Sequence, residues 1–331
     1  MIHFGVCLPQ DGLTYGEIKQ VARKSEQLGF NSIWFYDHLH SFPRPDQNPF
    51  LECWTLLSAL AEATNTIRLG TLVVDVQYRN PALLAKMVAT LDNISNGRLE
   101  LGLGAGGTGR AQWAARAGYT PEYIAYGIDF PDKVGVRIAR LKEVIQILKK
   151  MWTGERVTYE GKFYRVQNAF CIPKPRQKPH PPLWIAGMGE RLTLKLVAEF
   201  ADGCNYSWDL TPEAYREKLN VLQVHCKTFS RSFASIRKSL LSAFVMGKTQ
   251  SEVQKKVSQM SENCRFISGY VPIALRSSAI TGTEEECIQK INKFANAGVN
   301  DFMFVFPPVE IERELQYFAQ IIMPLFKRVT E

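Results

Sequence analysis

The chain has 331 residues, of which 46% are hydrophobic and 22% are charged, a composition that argues for a folded globular protein and against disorder. Lys and Arg number 40 against 32 Asp and Glu, which gives a formal net charge of +8. The basic residues alternate with acidic ones, and no apolar run reaches about 18 residues, so we expect neither nucleic-acid binding nor a membrane span.

The cysteines and the first residues are typical of a cytoplasmic protein. Seven cysteines are spread widely without a Cys-x-x-Cys pair, a pattern that favours reduced thiols over disulfides or a zinc site. The first residues do not resemble a secretory signal, which would have a basic leader and a cleavage-type site. We therefore expect the protein in the cytoplasm.

Eight short apolar runs are the candidate strands. Most of them are continuous rather than alternating, as is typical of parallel strands buried on both faces. In chain order they are residues 2–8, 33–35, 67–74, 99–103, 183–186, 203–205, 240–246 and 302–306.

Amphipathic helical patterns separate these runs. Apolar residues recur at three- and four-residue spacing in segments 18–28, 84–94 and 134–152. Capping boxes, in which a threonine precedes a glutamate by three residues, are predicted at Thr14, Thr249 and Thr283. Strand and helix thus alternate along the whole chain.

Right-handed crossovers between eight parallel strands close naturally into a barrel, so the sequence predicts one α/β domain over residues 1–331 with the (β/α)8 TIM-barrel fold. A doubly wound open sheet is the alternative. Because the chain exceeds a barrel of about 250 residues, we expect insertions. These are predicted after strand 4 (107–131), before strand 5 (154–181) and after strand 7 (264–282).

The pair Asp37-His38 follows strand 2, and barrels of this kind bind ligands at the carboxyl ends of their strands. Imidazole exchanges protons near neutral pH, so His38 is a candidate general acid or base, with a histidine of no catalytic role as the alternative. His38 and His40 have a spacing found in metal sites. No other histidine follows a strand, so we expect no metal.

Two glycine-rich turns follow strands 4 and 5. The first, Gly104-Ala105-Gly106-Gly107, suits a backbone that a flat ligand approaches closely, although a flexible loop is the alternative. The second, Ala186-Gly187-Met188-Gly189, leads into a helix. Exposed amides at a helix start bind anions such as phosphate, although an ordinary turn explains the residues too.

Several stretches together resemble the bacterial-luciferase-like superfamily, most closely its branch of coenzyme F420-dependent oxidoreductases. They span most of the chain to about residue 206. They are residues 28–38 (LGFNSIWFYDH), 78–87 (YRNPALLAKM), 95–106 (SNGRLELGLGAG), 181–187 (PPLWIAG) and 201–203 (ADG).

The resemblance implies a (β/α)8 barrel, a homodimer, and a deazaflavin (F420) or a flavin (FMN) lying across the carboxyl ends of the strands. It implies that Asp37 contacts the polar edge of the ring and that His38 donates or accepts a proton near the reacting centre. It also implies a cis peptide at Leu72-Val73, or one bond later, behind the ring. The turn 104–107 would pass close to the ring, and the turn 186–189 would hold the cofactor phosphate.

Departures from the family pattern concern the substrate. Gly107 stands where sugar-phosphate dehydrogenases of the family carry a glutamate, and Phe42 stands where some members carry a tryptophan. The link after strand 4 is lengthened around 108–120, which adds Trp113 near the site. We therefore expect Phe42 and Trp113 to contact the substrate, whose identity cannot be carried over.

The leading hypothesis is an oxidoreductase that transfers a hydride between F420 and a small organic substrate, with His38 carrying the accompanying proton. The alternative is a luciferase-like monooxygenase that uses reduced FMN from a separate flavin reductase. A third hypothesis, from another class, is a barrel that binds a flavin-like ligand without turnover.

Overall fold

The structure is a computed structural model that describes residues 1–41, 47–107, 118–263 and 273–326. Phe42 and Trp113, the two predicted substrate contacts, lie outside the described residues. So does most of the segment 108–120 that distinguishes this chain from the family pattern.

Strands and helices alternate along the described part of the chain. The strands are β1 His3–Cys7, β2 Ser32–Phe35, β3 Arg68–Thr71, β4 Val74–Asp75, β5 Leu99–Gly104, β6 Val157–Glu160, β7 Arg165–Ala169, β8 Leu183–Ala186, β9 Gly203–Ser207, β10 Arg237–Gly247, β11 Ile280–Thr283 and β12 Asp301–Val305. The α-helices are α1 Tyr15–Gln27, α2 Cys53–Ala63, α3 Pro81–Ile94, α4 Glu122–Ala125, α5 Val134–Thr153, α6 Thr193–Phe200, α7 Pro212–Thr228, α8 Gln250–Asn263, α9 Glu284–Asn296, α10 Ile311–Ile321 and α11 Met323–Phe326.

Eight parallel strands form a closed barrel. Their order is β1-β2-β3-β5-β8-β9-β10-β12, and β12 pairs with β1 to close the ring. Each of the eight predicted apolar runs supplies one of these strands, so the (β/α)8 prediction is confirmed. The closure of β12 on β1 excludes the open doubly wound sheet.

Two strands differ from the sequence prediction. The run 67–74 is divided into β3, which pairs with β2, and β4, which pairs with β5. β10 is 11 residues long, and its last four residues pair with β11 outside the barrel. The first three of the four residues of β11 fall inside the segment 264–282 that was predicted as an insertion, so part of that segment extends the sheet.

Local capping signals place the helix starts. Thr14 N donates to Glu17 Oε2 (2.8 Å) and Glu17 N donates to Thr14 Oγ1 (3.3 Å), which is the predicted capping box of α1. The box at Thr283 also forms at α9. At Thr249 only half of it forms, because the Glu252 carboxylate instead accepts from Lys248 N.

The predicted insertion before the fifth barrel strand contains an antiparallel hairpin of β6 and β7. The cysteines within the described ranges are free thiols. Among the described helices, none combines the length and the apolar character that a membrane crossing requires.

Two tryptophans fill the barrel interior. Trp34 of β2 and Trp184 of β8 meet edge to face with ring centroids 5.7 Å apart, and neither is more than 1% exposed. Toward the amino ends of the strands, Trp184 Nε1 donates to Glu100 (2.7 Å), and Arg68 and Arg237 pair with the same carboxylate. The amino end is therefore closed by packing and ion pairs, which leaves the carboxyl end for ligands.

Candidate active site

The site residues predicted from the sequence meet at the carboxyl ends of the barrel strands, called the carboxyl rim below. Asp37 and His38 follow β2 after one intervening residue, and the glycine turns follow β5 and β8. Since β5 and β8 are neighbours in the barrel, the two turns lie side by side. The rim is the functional face of barrels of this kind.

Asp37 is buried and held by an arginine. Its two oxygens accept from Arg79 Nη1 (2.5 Å) and Nη2 (2.9 Å), and the residue is 1% exposed. Arg79 also pairs with Glu52 (2.9 Å), whose carboxylate caps the start of α2. Burial raises the pKa of Asp37 to about 6, although Arg79 works against the shift. Both oxygens of Asp37 already accept from Arg79, so a ligand that contacts Asp37 contacts a carboxylate that is also bound to Arg79.

A second carboxylate, Asp75, lies at the same level of the rim. Its Oδ1 accepts from Gln77 N (2.9 Å), and the residue is half-buried. Burial raises the pKa of Asp75 to about 7, and the negative charges of Asp37 and Glu122 add to the shift. The sequence places Asp75 after strand 3 but does not indicate that it lies near Asp37 and Glu122.

His38 is paired with a glutamate that the sequence analysis did not identify. His38 Nδ1 lies 2.9 Å from Glu122 Oε2, and the same oxygen accepts from Tyr78 Oη (2.9 Å). Glu122 Oε1 accepts from the backbone N–H groups of Leu39 and His40. The Glu122 side chain is 10% exposed and that of His38 is 25% exposed, so the pair is largely shielded from water.

Glu122 is the first residue of α4, and further contacts fasten α4 to the loop after β2. Tyr126 Oη donates to Leu39 O (3.2 Å), and the Tyr126 ring stacks on His40 at 6.3 Å. His40 Nδ1 faces Ser41 O at 2.8 Å. His38 and His40 thus contact different groups, and no cluster of three metal-ligating side chains forms within the described ranges.

The turn after β5 packs against the β3–β4 junction. The peptide bond Leu72-Val73 is cis, at the first of the two positions that the resemblance implies. Leu72 is 4% exposed, whereas Val73 is half-buried. A Cβ on Gly104 would stand 2.7 Å from Val73 Cγ2, so the glycine permits this close contact. Ala105 O accepts from Gln77 Nε2 (3.4 Å), which ties the turn to the rim.

The turn after β8 forms a cradle at the start of α6. Gly187 has a φ of 123°, and a Cβ on Gly189 would stand 3.0 Å from Thr193 Oγ1. The residue that caps α6 is Leu192, whose side chain has no oxygen to accept from the first amides of the helix. Gly187 N donates to Asn205 O (3.2 Å) and Leu194 N donates to Gly189 O (3.0 Å), so the Thr193 hydroxyl and the positive end of the helix dipole are what this turn offers a ligand. This arrangement fits a phosphate group.

Sequence analysis thus found the two turns and the Asp37-His38 pair, but it missed their side-chain partners. Arg79 and Tyr78 belong to a stretch that carries the family resemblance, so a signal was present without an assigned role. Glu122 lies outside the stretches that carry the resemblance, so nothing in the sequence pointed to it.

The closed parallel barrel carries on its carboxyl rim a glycine-lined helix start, the buried Asp37 and the partly buried His38, which is the arrangement of a (β/α)8 protein with a candidate ligand site on the rim. The model of the luciferase-like monooxygenase family matches residues 2–301, and the chain belongs to this family of enzymes.

Two relatives are named F420-dependent glucose-6-phosphate dehydrogenase. The one from Microbacterium testaceum is 32% identical over 220 residues, which cover 66% of this chain and 60% of that protein. The one from Amycolatopsis mediterranei is 24% identical over 328 residues, which cover 93% of each protein. The match to the first relative thus spans less than two thirds of its length.

Among solved structures, an F420-dependent secondary alcohol dehydrogenase in complex with an F420-acetone adduct is similar over almost its whole length. The TM-score is 0.81, with 20% sequence identity, and the similarity covers 98% of this chain and 99% of that one. At this identity the likeness establishes the fold, and it agrees with the TIM barrel described above.

Proposed function

We propose that this protein is an oxidoreductase that transfers a hydride between coenzyme F420 and a small organic substrate. The observation that carries the proposal is the cradle formed by Gly187, Gly189 and Thr193 on the same rim as His38. The names of the two relatives support F420 as the cofactor. The net charge of +8 suits an anionic cofactor.

The residues present fit this cofactor in stated roles. When bound, F420 supplies a deazaflavin ring that takes up or gives up a hydride. The Gly187–Gly189 turn and Thr193 would hold its phosphate, and Val73 with the turn after β5 would border the ring. Asp37, fixed by Arg79, would lie near the polar edge of the ring, as the family resemblance implies.

His38 would carry the proton that accompanies the hydride. Imidazole is the side chain whose ordinary pKa suits proton exchange near neutral pH, and His38 stands on the rim beside these groups. The contact between His38 Nδ1 and Glu122 holds the imidazole ring in one orientation.

A reduced-FMN monooxygenase is the second candidate, because the family is named for monooxygenases and the same phosphate cradle would accept FMN. Such an enzyme would consume oxygen and depend on a separate flavin reductase. The two candidates differ in the cofactor bound and in the need for oxygen.

The substrate is sought with a panel of compounds taken from the names of the relatives and of the similar structure. Oxidised F420 is incubated without oxygen with glucose 6-phosphate or with secondary alcohols, and reduced F420 with the corresponding ketones, while the deazaflavin absorbance is followed. We expect turnover with at least one class. His38→Ala should bind F420 within about tenfold of the wild type and lose ~10²–10⁴ in turnover.

Oxygen consumption with reduced FMN and a supplied reductase, together with no F420 turnover, would replace the proposal with the monooxygenase. Equal turnover of His38→Ala and wild type would remove His38 from the chemistry. Binding without any turnover would support a non-catalytic flavin-binding barrel.

We further propose that the chain acts as one domain, as a homodimer and in the cytoplasm, as the sequence analysis and the resemblance suggest. Light scattering during size-exclusion chromatography measures the oligomeric state directly. A mass near twice the 37.5 kDa of the chain supports the dimer, and a monomer mass contradicts it.

A further inference from the structure

The structure brings a carboxylate to His38, from Glu122 at the start of α4. The two residues are 84 positions apart in the chain. A carboxylate from α4 therefore contacts the His38 imidazole at Nδ1, although His38 itself follows β2.

We propose that Glu122 is a positioning residue that keeps a proton on His38 Nδ1 and so makes Nε2 the atom that exchanges a proton with the substrate; this inference rests on the proposed function. A neutral imidazole carries its proton on one nitrogen, and the hydrogen bond made by that nitrogen selects which.

The donors around Glu122 favour its ionised form, which acts as an acceptor. The backbone N–H groups of Leu39 and His40 can only donate, and both point to Oε1. Tyr78 Oη donates to Oε2, the oxygen that faces His38. Hydrogen bonds donated to a carboxylate favour its ionised form, and an ionised carboxylate has no proton to give, so Nδ1 is the donor in its 2.9 Å contact with Glu122 Oε2.

The same contacts give Glu122 a second, structural effect, because they fasten α4 to the loop after β2. The test must therefore separate ring orientation from the docking of α4. Glu122→Gln makes this separation, since the amide oxygen still accepts from Leu39 and His40. Its NH2 group then faces Nδ1 as a donor, which selects the opposite tautomer of His38.

The first readout is the tautomer itself, by 15N NMR of protein labelled at histidine. The chain has five histidines, so the His38 signal is assigned by its loss in His38→Ala. At a pH where the ring is neutral, we expect a protonated Nδ1 in the wild type and a protonated Nε2 in Glu122→Gln. A wild-type ring protonated on Nε2 would overturn the inference.

The second readout is kinetic, with the substrate found in the panel above. In Ser-His-Asp triads, replacing the aspartate with asparagine holds the histidine in the wrong tautomer and lowers kcat about 10⁴-fold. We expect Glu122→Gln to lower kcat by ~10²–10⁴ for the same reason. KM and the F420 dissociation constant should stay within about threefold. Tyr78→Phe removes one donor to Glu122 but leaves the tautomer of His38 unchanged, so kcat should fall by less than about tenfold.

Glu155→Gln is the matched control, because Glu155 is exposed in the loop between α5 and β6 and the substitution removes the same charge. A fall in kcat that is accompanied by a similar loss of F420 affinity and of thermal stability in Glu122→Gln would assign Glu122 to the docking of α4 alone. The NMR readout needs no substrate, so it decides the inference even if F420 turnover, and with it the proposed function, fails.

Discussion

Gly106 in the turn after β5 lies against Asp75 so closely that a Cβ on Gly106 would stand 2.5 Å from Asp75 Oδ2 and 2.7 Å from Phe130 Cε2. Gly106 also has a φ of 76°, in the left-handed region that side chains disfavour. The glycine therefore allows the turn to approach the carboxylate at the rim. Its neighbour Gly107 has no described atom within 4 Å of the corresponding position.

Gly106→Ala should therefore destabilise the protein by about 2–4 kcal/mol, since it combines a strained φ with a steric clash. Gly107→Ala is the control and should stay within about 0.5 kcal/mol of the wild type. Urea unfolding followed by circular dichroism measures both. Similar stabilities for the two variants would mean that Gly106 does not make the close contact with Asp75.

Asp75→Asn should change how stability depends on pH. The pKa of Asp75 in the folded state, about 7, lies above its unfolded value of about 3.9, so the folded state binds the extra proton and loses stability as pH rises between these values. The asparagine removes this penalty and can still accept from Gln77 N. Relative to the wild type, the variant should gain about 1–3 kcal/mol between pH 5 and pH 8. Urea unfolding at both pH values measures the gain, and an equal difference at both would contradict the burial of a titrating Asp75.

Arg79→Met should cost more stability at pH 8 than at pH 5. In the wild type Asp37 is ionised above its pKa of about 6 and paired with Arg79, whereas at pH 5 it is mostly neutral. Without Arg79 the carboxyl at pH 8 must stay buried as an unpaired anion or take up a proton, and either costs stability. We expect a cost of about 3–5 kcal/mol at pH 8 and about 1–3 kcal/mol less at pH 5. Adding Asp37→Asn removes the buried charge and should recover much of the loss at pH 8. A double variant as unstable as Arg79→Met would place the cost outside this ion pair.

Thr193→Val tests the phosphate cradle with little change of shape. Loss of a hydroxyl beside a charged ligand should weaken F420 binding about 10- to 100-fold. The deazaflavin with its ribityl chain but without the phosphate should bind to the wild type and to the variant with affinities within about threefold of each other. Fluorescence titration measures both ligands, and an equal loss for both would move the phosphate site away from Thr193.

Much of the fold could be predicted from the sequence because the signals are local. Continuous apolar runs mark the buried parallel strands, and capping boxes at Thr14 and Thr283 mark helix starts. β11 escaped prediction because it has four residues, of which only Ile280 is strongly apolar, and it pairs outside the barrel with an extension of β10.

The side-chain partners in the site could not be predicted in the same way. Arg79 lies 42 residues from Asp37, and Glu122 lies 84 residues from His38. Neither pairing follows from periodicity or from a short motif, because closure of the barrel and the path of the chain after β5 bring the residues together. Motifs located the candidate site residues, whereas the electrostatic surroundings of these residues depend on tertiary contacts.

The most direct test of this account is a titration of the purified protein with oxidised F420 and, separately, with FMN, followed by cofactor fluorescence. We predict that F420 binds at least about tenfold more tightly than FMN, a difference of about 1.4 kcal/mol. Tighter binding of FMN than of F420 would contradict the proposal of an F420-dependent oxidoreductase.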